Sequence, residues 1–165
     1  MPERAMELYI TGLKNAHAME REAQEMLERG VERLTDYPDL VKRLREHLAE
    51  TKEQLKRLDG LLADQGTSSS VVKDTVLAVG ANVAAMAHTM ANDEVLKNSF
   101  ASNALEAFEI AAYKSLIIMA EQAGVRVKTI LTQSLHEEER MAKWLDQNIE
   151  KVTLEYLRKE QRAAA

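Results

Sequence analysis

Glu20 and Glu138 each stand where an apolar side chain is expected. Each helical residue advances about 100° around the axis, so its number fixes its position on the helix face. In the first helical segment, Met6, Tyr9, Leu13, Ala16, Leu27, Val31 and Leu34 fall within about 40° of Glu20. In the last, Leu131, Leu135, Met141, Ala142, Leu145 and Ile149 form a stripe with Glu138 at its middle. A carboxylate facing a core is costly unless a metal, a cationic side chain or a proton neutralises it. A third segment, Ala104 to Ala120, is apolar nearly all round, with Glu106, Glu109 and Lys114 as its charges. Glu106 and Glu109 lie one turn apart on one face, and two buried like charges repel unless something positive lies between them.

The remaining segment carries the stripe Leu40, Leu44, Leu48, Leu55, Leu58 and Leu62, with Thr51 near its middle. His47 lies about 50° from the centre of that stripe, Glu50 about 110° away, and Glu53 points outward. Glu50 is therefore an edge residue. His17 sits about 60° off the line of Glu20, while Glu137 and Glu139 flank Glu138 by about 100° and are expected to be solvated. Inward glutamates on facing helices are how di-iron and di-manganese bundles are built, with one Glu from each of two helices and Glu-x-x-His from the other two. Carboxylate oxygens suit hard cations, and imidazole completes the coordination. None of the four histidines completes a Glu-x-x-His: Lys14, Leu44, Ala85 and Gln133 precede His17, His47, His88 and His136 by three. The alternative for each glutamate is a buried ion pair to Lys or Arg, with Lys114 a candidate partner for Glu106 and Glu109. Tyr113, one turn from Glu109, needs an acceptor when buried. Trp144 is expected at a helix or subunit contact, and the methionines are expected to fill the core.

These residues must be positioned by helices. Two prolines and six glycines interrupt a chain of 165 residues rich in Ala, Leu, Glu, Lys and Arg. Stops divide it into helices over 3–34 (with Gly30 a weak point), 38–65, 92–122 and 125–149. Gly66 is the expected stop of the second, and a helical charged extension over 150–162 lies against the outside or a partner. Short connections make two antiparallel hairpins, and an apolar helix over 71–90 fills the crossover between them. The expected fold is all-α: one domain over 1–165, a ferritin-like four-helix bundle with an extra crossover helix. A net charge of −5 and no basic tail argue against nucleic acid, including a DNA-coating role. Zero cysteines exclude disulfides and thiolate sites and fit a cytoplasmic protein. No signal peptide is read before Glu3, and the uncharged stretch 75–91 is too short and too rich in Ala, Asn and Gly to suit a bilayer. That stretch and the third helix together carry more apolar surface than one bundle can bury, which predicts a homodimer or larger oligomer.

The segments HLAETKEQLKRL (His47 to Leu58) and EAFEIAAYKSLIIMAEQAG (Glu106 to Gly124) resemble the YciF/YciE-like branch of ferritin-like stress proteins. The resemblance runs from about Leu8 to Leu145. It implies a rubrerythrin-like fold, dimers, carboxylates placed as in di-iron sites and a link to bacterial stress. By position it assigns as metal ligands Glu20, Glu50 of the Glu-Thr pair, Glu106, Glu109 and Glu138. Three residues after Glu50 and Glu138, where rubrerythrin-type sites carry His, this chain has Glu53 and Met141. The sequence thus points to a metal-binding bundle, its site drawn from Glu20, His47, Glu50, Glu106, Glu109 and Glu138. The metal would be iron or manganese in a dinuclear arrangement, reacting with O₂ or peroxide or sequestering the ion. The other reading is a structural or interaction bundle that keeps the fold without a working metal centre.

Overall fold

The computed structural model describes residues 2–69 and 93–165, so the expected crossover helix over 71–90 and His88 lie outside the described residues. The described residues form four helices: α1 (Pro2–Arg33), α2 (Pro38–Asp64), α3 (Glu94–Gln122) and α4 (Lys128–Ala163). Among the described residues there is no strand, and no helix is long and apolar enough to cross a membrane. Pro38 opens α2, where its missing N–H would have had no helical partner. Gly66 and Gly124 follow α2 and α3 with φ of 66° and 75°. At each, the two hydrogen bonds of a Schellman stop form: Gly66 N–H to Ala63 and Thr67 N–H to Leu62, then Gly124 N–H to Glu121 and Val125 N–H to Ala120.

One expectation about helix integrity is revised. Gly30 does not weaken α1, which runs through it. A Cβ there would lie 3.1 Å from Leu44, so the missing side chain lets α2 approach closely. The charged extension is a continuation of α4 to Ala163 and packs on the bundle's own outside. Val152 is buried and Tyr156 partly so against Tyr37, while Lys159 Nζ stands 5.2 Å from the centre of the Tyr37 ring.

The hairpins α1/α2 and α3/α4 are closely packed, as is α1 against α3, whereas α2 and α4 pack less closely than these. Arg33 pairs with Glu94 at 2.7 Å, and Gly12 faces Leu116 and Met119, so α1 and α3 are antiparallel. Lys151 pairs with Asp39 and Arg57 with Glu137, so α2 and α4 are antiparallel too. The core divides along the bundle axis. One end is built on Tyr9, Leu13, Leu58, Leu62, Leu116 and Leu131. The other is built on Leu27, Leu40, Leu44, Val95, Met141 and Leu145. Between them lies a polar layer. On the outside of α3, Phe100, Phe108 and Ile118 remain exposed.

The stops make a paired prediction. Gly124→Ala forces a Cβ into the left-handed region and should cost about 1–2 kcal/mol. Gly60→Ala, in helix with nothing within 4 Å of the new Cβ, should stabilise by about 0.5–1 kcal/mol. Urea midpoints of the two variants check both signs.

Candidate metal centre

Every helix contributes to the polar layer. His47, Glu106, Glu109 and Glu138 are all buried, and one ligand atom from each lies within 4.8 Å of the others. His47 Nε2 is 3.4 Å from Glu106 Oε1 and 3.3 Å from Glu138 Oε2. With one hydrogen at most, that nitrogen cannot serve both carboxylates well. Its other nitrogen, Nδ1, is 2.9 Å from Glu50 Oε2. Glu20 enters from α1, fully buried, and accepts a 2.6 Å hydrogen bond from the Tyr113 hydroxyl. Among the described residues, five carboxylate oxygens have no hydrogen-bond partner: Glu20 Oε2, Glu106 Oε2, both of Glu109, and Glu138 Oε2.

A ring of polar side chains holds this layer from α2 and α4. Gln54 donates to Glu137 at 2.9 Å and also to Glu138 Oε1. Arg57 clamps Glu137 through two 2.8 Å hydrogen bonds and reaches Ser134 at 2.7 Å. The buried ion pair to Lys or Arg therefore exists at Glu137. Among the described residues, none forms at Glu20, Glu106, Glu109 or Glu138, and Lys114 turns instead to Glu139 at 3.5 Å.

A family model described as "Domain of unknown function (DUF892)" matches residues 4–158. The chain belongs to the DUF892 family. A protein of Xanthomonas campestris pv. campestris superposes with a TM-score of 0.81 at 31% identity, covering 96% of this chain and 99% of that one. YcfI of Rhodopseudomonas palustris, to which a structural role is ascribed, gives 0.73 at 27% identity, over 86% and 92% of the two chains. The Escherichia coli stress protein YciF gives 0.76 at 22% identity, over 90% and 96%, and so shares the fold.

Within this DUF892 bundle the six residues named from sequence divide into three groups. His47, Glu106, Glu109 and Glu138 converge, and Glu20 sits beside them under Tyr113. Glu50 stands at the rim with its side chain 23% exposed, held by His47, by Arg43 at 3.5 Å and by Arg140 at 3.1 Å. His17 is outside the layer, 3.1 Å from Asp59. Glu53 is exposed and Met141 is wholly buried in the apolar end. Glu137 overturns the expectation that both flanks of Glu138 are solvated. A helix in a bundle faces two neighbours, so a residue about 100° from the stripe can lie in a seam, here the one toward α2. Gln54 was missed, though it lies about 20° from His47 on the α2 wheel and its burial was legible.

Burial governs the charges. It drives Glu20 and Glu109 well above the ordinary carboxylate range, and the neighbouring Glu138 carboxylate adds to both. Burial likewise lifts Glu106 to about 7, against the opposing pull of His47. Burial also opposes the charge on His47, but the facing carboxylates of Glu106, Glu138 and Glu50 outweigh it and raise the imidazole well above 6.5. Glu138 is held below its usual value by His47, Glu106 and Gln54 despite its burial. Glu50 overcomes its own burial through His47 and Arg140 and falls to about 2. Without a cation, the layer is neutralised by protons and one imidazolium.

The sign of the pH dependence follows. The raised Glu106, Glu109 and Glu20 keep protons that the unfolded chain releases near 4.5, so stability falls as pH rises above that value. The raised His47 contributes fully below 6.5 and is lost as pH passes its folded value. Glu50 and Glu138 act oppositely, withdrawing their contribution as pH falls below about 4.5. Chelator-treated protein should therefore show its highest urea midpoint near pH 5 and a lower one at pH 8. A midpoint that climbs steadily from pH 5 to 8 would contradict this assignment of protons.

Proposed function

We propose that this protein is a ferritin-like metal-binding bundle of the cytoplasm, serving stress protection by holding iron or manganese in its polar layer. One observation carries the reading: five buried carboxylate oxygens find no hydrogen-bond partner among the described residues, and three of the four glutamates that carry them converge with His47 within 4.8 Å. The donor set suits a hard divalent cation, because oxygen ligands predominate and a nitrogen completes them. His47, Glu106, Glu109 and Glu138 would hold one ion, and Glu20 is the further carboxylate for a second. When bound, iron or manganese would supply redox chemistry toward O₂ or peroxide, or simply be sequestered. The chain's own residues do the rest. Gln54 fixes the rotamer of Glu138, Tyr113 orients Glu20, and Glu50 with Arg43 and Arg140 sets the tautomer and tilt of His47. Binding must release the protons that Glu106 and Glu109 hold, so affinity should rise with pH.

Elemental analysis of protein purified without chelator should find iron or manganese, and one or two ions per chain sets the nuclearity. A metal at 100 times its dissociation constant adds about 2.7 kcal/mol, enough to raise Tm by about 5–10 °C in a domain of this size. Glu109→Gln keeps volume and removes an anion. It should abolish most metal binding while leaving the metal-free protein equally or more stable. Full metal occupancy in a Glu109→Gln/Glu138→Gln double variant would end this reading. The structural alternative draws support from His47, which already answers Glu106, Glu138 and Glu50. It expects a Tm indifferent to Fe²⁺ and Mn²⁺.

The exposed Phe100, Phe108 and Ile118 of α3 support association into a homodimer or larger oligomer. Light scattering at micromolar protein should give at least twice the mass of 18.6 kDa. A monomer would count against association.

A further inference from the structure

The seam between α2 and α4 opens, at the Tyr37 end of the bundle, into a cleft of about 560 Å³. Five cations line it, Lys42, Arg43, Arg140, Lys143 and Lys151, against two acids, Asp39 and Glu46. That balance is unusual in a chain of net charge −5. Three of the cations are engaged: Lys151 with Asp39, and Arg43 and Arg140 with Glu50. Lys42 and Lys143 are exposed and, among the described residues, form no ion pair. The floor is given by Trp144, half-buried against the apolar cluster beneath it. A concave surface with excess positive charge concentrates anions and repels divalent cations, so this mouth is a poor entrance for a metal ion. Its size falls within the range of small-molecule sites and far exceeds one inorganic phosphate. Lysine and arginine together recognise phosphate oxygens, one as a point charge and the other as a fork, and an aromatic floor accepts a planar group.

We propose that the α2–α4 cleft binds a small diphosphate-bearing anion, with Lys42 and Lys143 as its unpaired contacts and Trp144 beneath. The cleft shares Arg43 and Arg140 with Glu50, which holds His47, so its test uses metal-free protein and variants of Lys42 and Lys143, which make no contact with the metal centre. Trp144 is the one tryptophan of the chain, so its fluorescence reports on the cleft directly. Inorganic pyrophosphate, titrated at constant ionic strength set with chloride, should change that fluorescence saturably with a midpoint below about 1 mM. Equilibrium dialysis of labelled pyrophosphate counts the same binding should the indole stay silent. Lys42→Gln/Lys143→Gln removes exposed, unpaired charges, should leave the helical circular dichroism unchanged, and should raise the midpoint at least tenfold. A tighter midpoint for ADP than for pyrophosphate would identify an organic diphosphate using the indole. An equal or weaker one would identify the inorganic ion. No saturable binding by dialysis, an equal response to chloride, or an unshifted midpoint in the folded double variant would each overturn the proposal.

Discussion

Five glutamates share the interior of this bundle, and their desolvation is the constraint that the rest of the molecule answers. An ionised carboxylate taken out of water costs several kcal/mol even after relaxation, while a whole domain is stable by only about 5–15 kcal/mol. Glu20, Glu106, Glu109, Glu137 and Glu138 therefore cannot all be buried, charged and unanswered. Each receives a different answer. Arg57 neutralises Glu137, His47 supplies the positive charge facing Glu106 and Glu138, and Tyr113 donates to Glu20. Glu109 receives nothing from the described residues and keeps a proton when no cation is present.

The two apolar ends of the core make that arrangement tolerable. They supply the burial that holds four helices together while the central layer contributes little or opposes. The seams divide the work in the same way. Small residues, Ala23 and Ala101 among them, sit in the cluster between α1 and α3, and Gly12 lets these helices meet closely. The α2–α4 seam is instead a ladder of polar pairs: Asp39 to Lys151, Glu50 to Arg140, Gln54 to Glu137 and Glu138, and Arg57 to Glu137. Pairs of long polar side chains need room, which keeps α2 and α4 apart and brings solvent up to Glu50.

Membership of the DUF892 family, and superposition on a Xanthomonas protein over nearly the whole of both chains, show that this arrangement of helices is a family property. They leave the chemistry of the polar layer to be argued from its own residues. The departures matter as much as the matches. With Glu53 exposed and Met141 in the apolar end, the nitrogen donor of the layer is His47, three residues before Glu50 rather than three after it. A centre with one imidazole and several carboxylates favours hard, oxygen-preferring ions.

The helices, their stops and the inward placement of Glu20, Glu106, Glu109 and Glu138 were determined by sequence alone, because helical periodicity fixes which residues share a face. Pro38, Gly66 and Gly124 could be read for the same local reason, since each acts through its own backbone. What periodicity cannot supply is the angular setting of one helix against two neighbours. That setting buried Glu137 against Arg57 and brought arginines from two helices to Glu50, whose place at the edge the wheel already gave. It also drew Lys42 and Arg43 of α2 together with Arg140, Lys143 and Lys151 of α4, residues about a hundred positions apart, into one cleft. Faces are a property of the single helix, whereas seams belong to pairs. The carboxylates were therefore legible in the chain, and the side chains that answer them became visible only once the helices were packed.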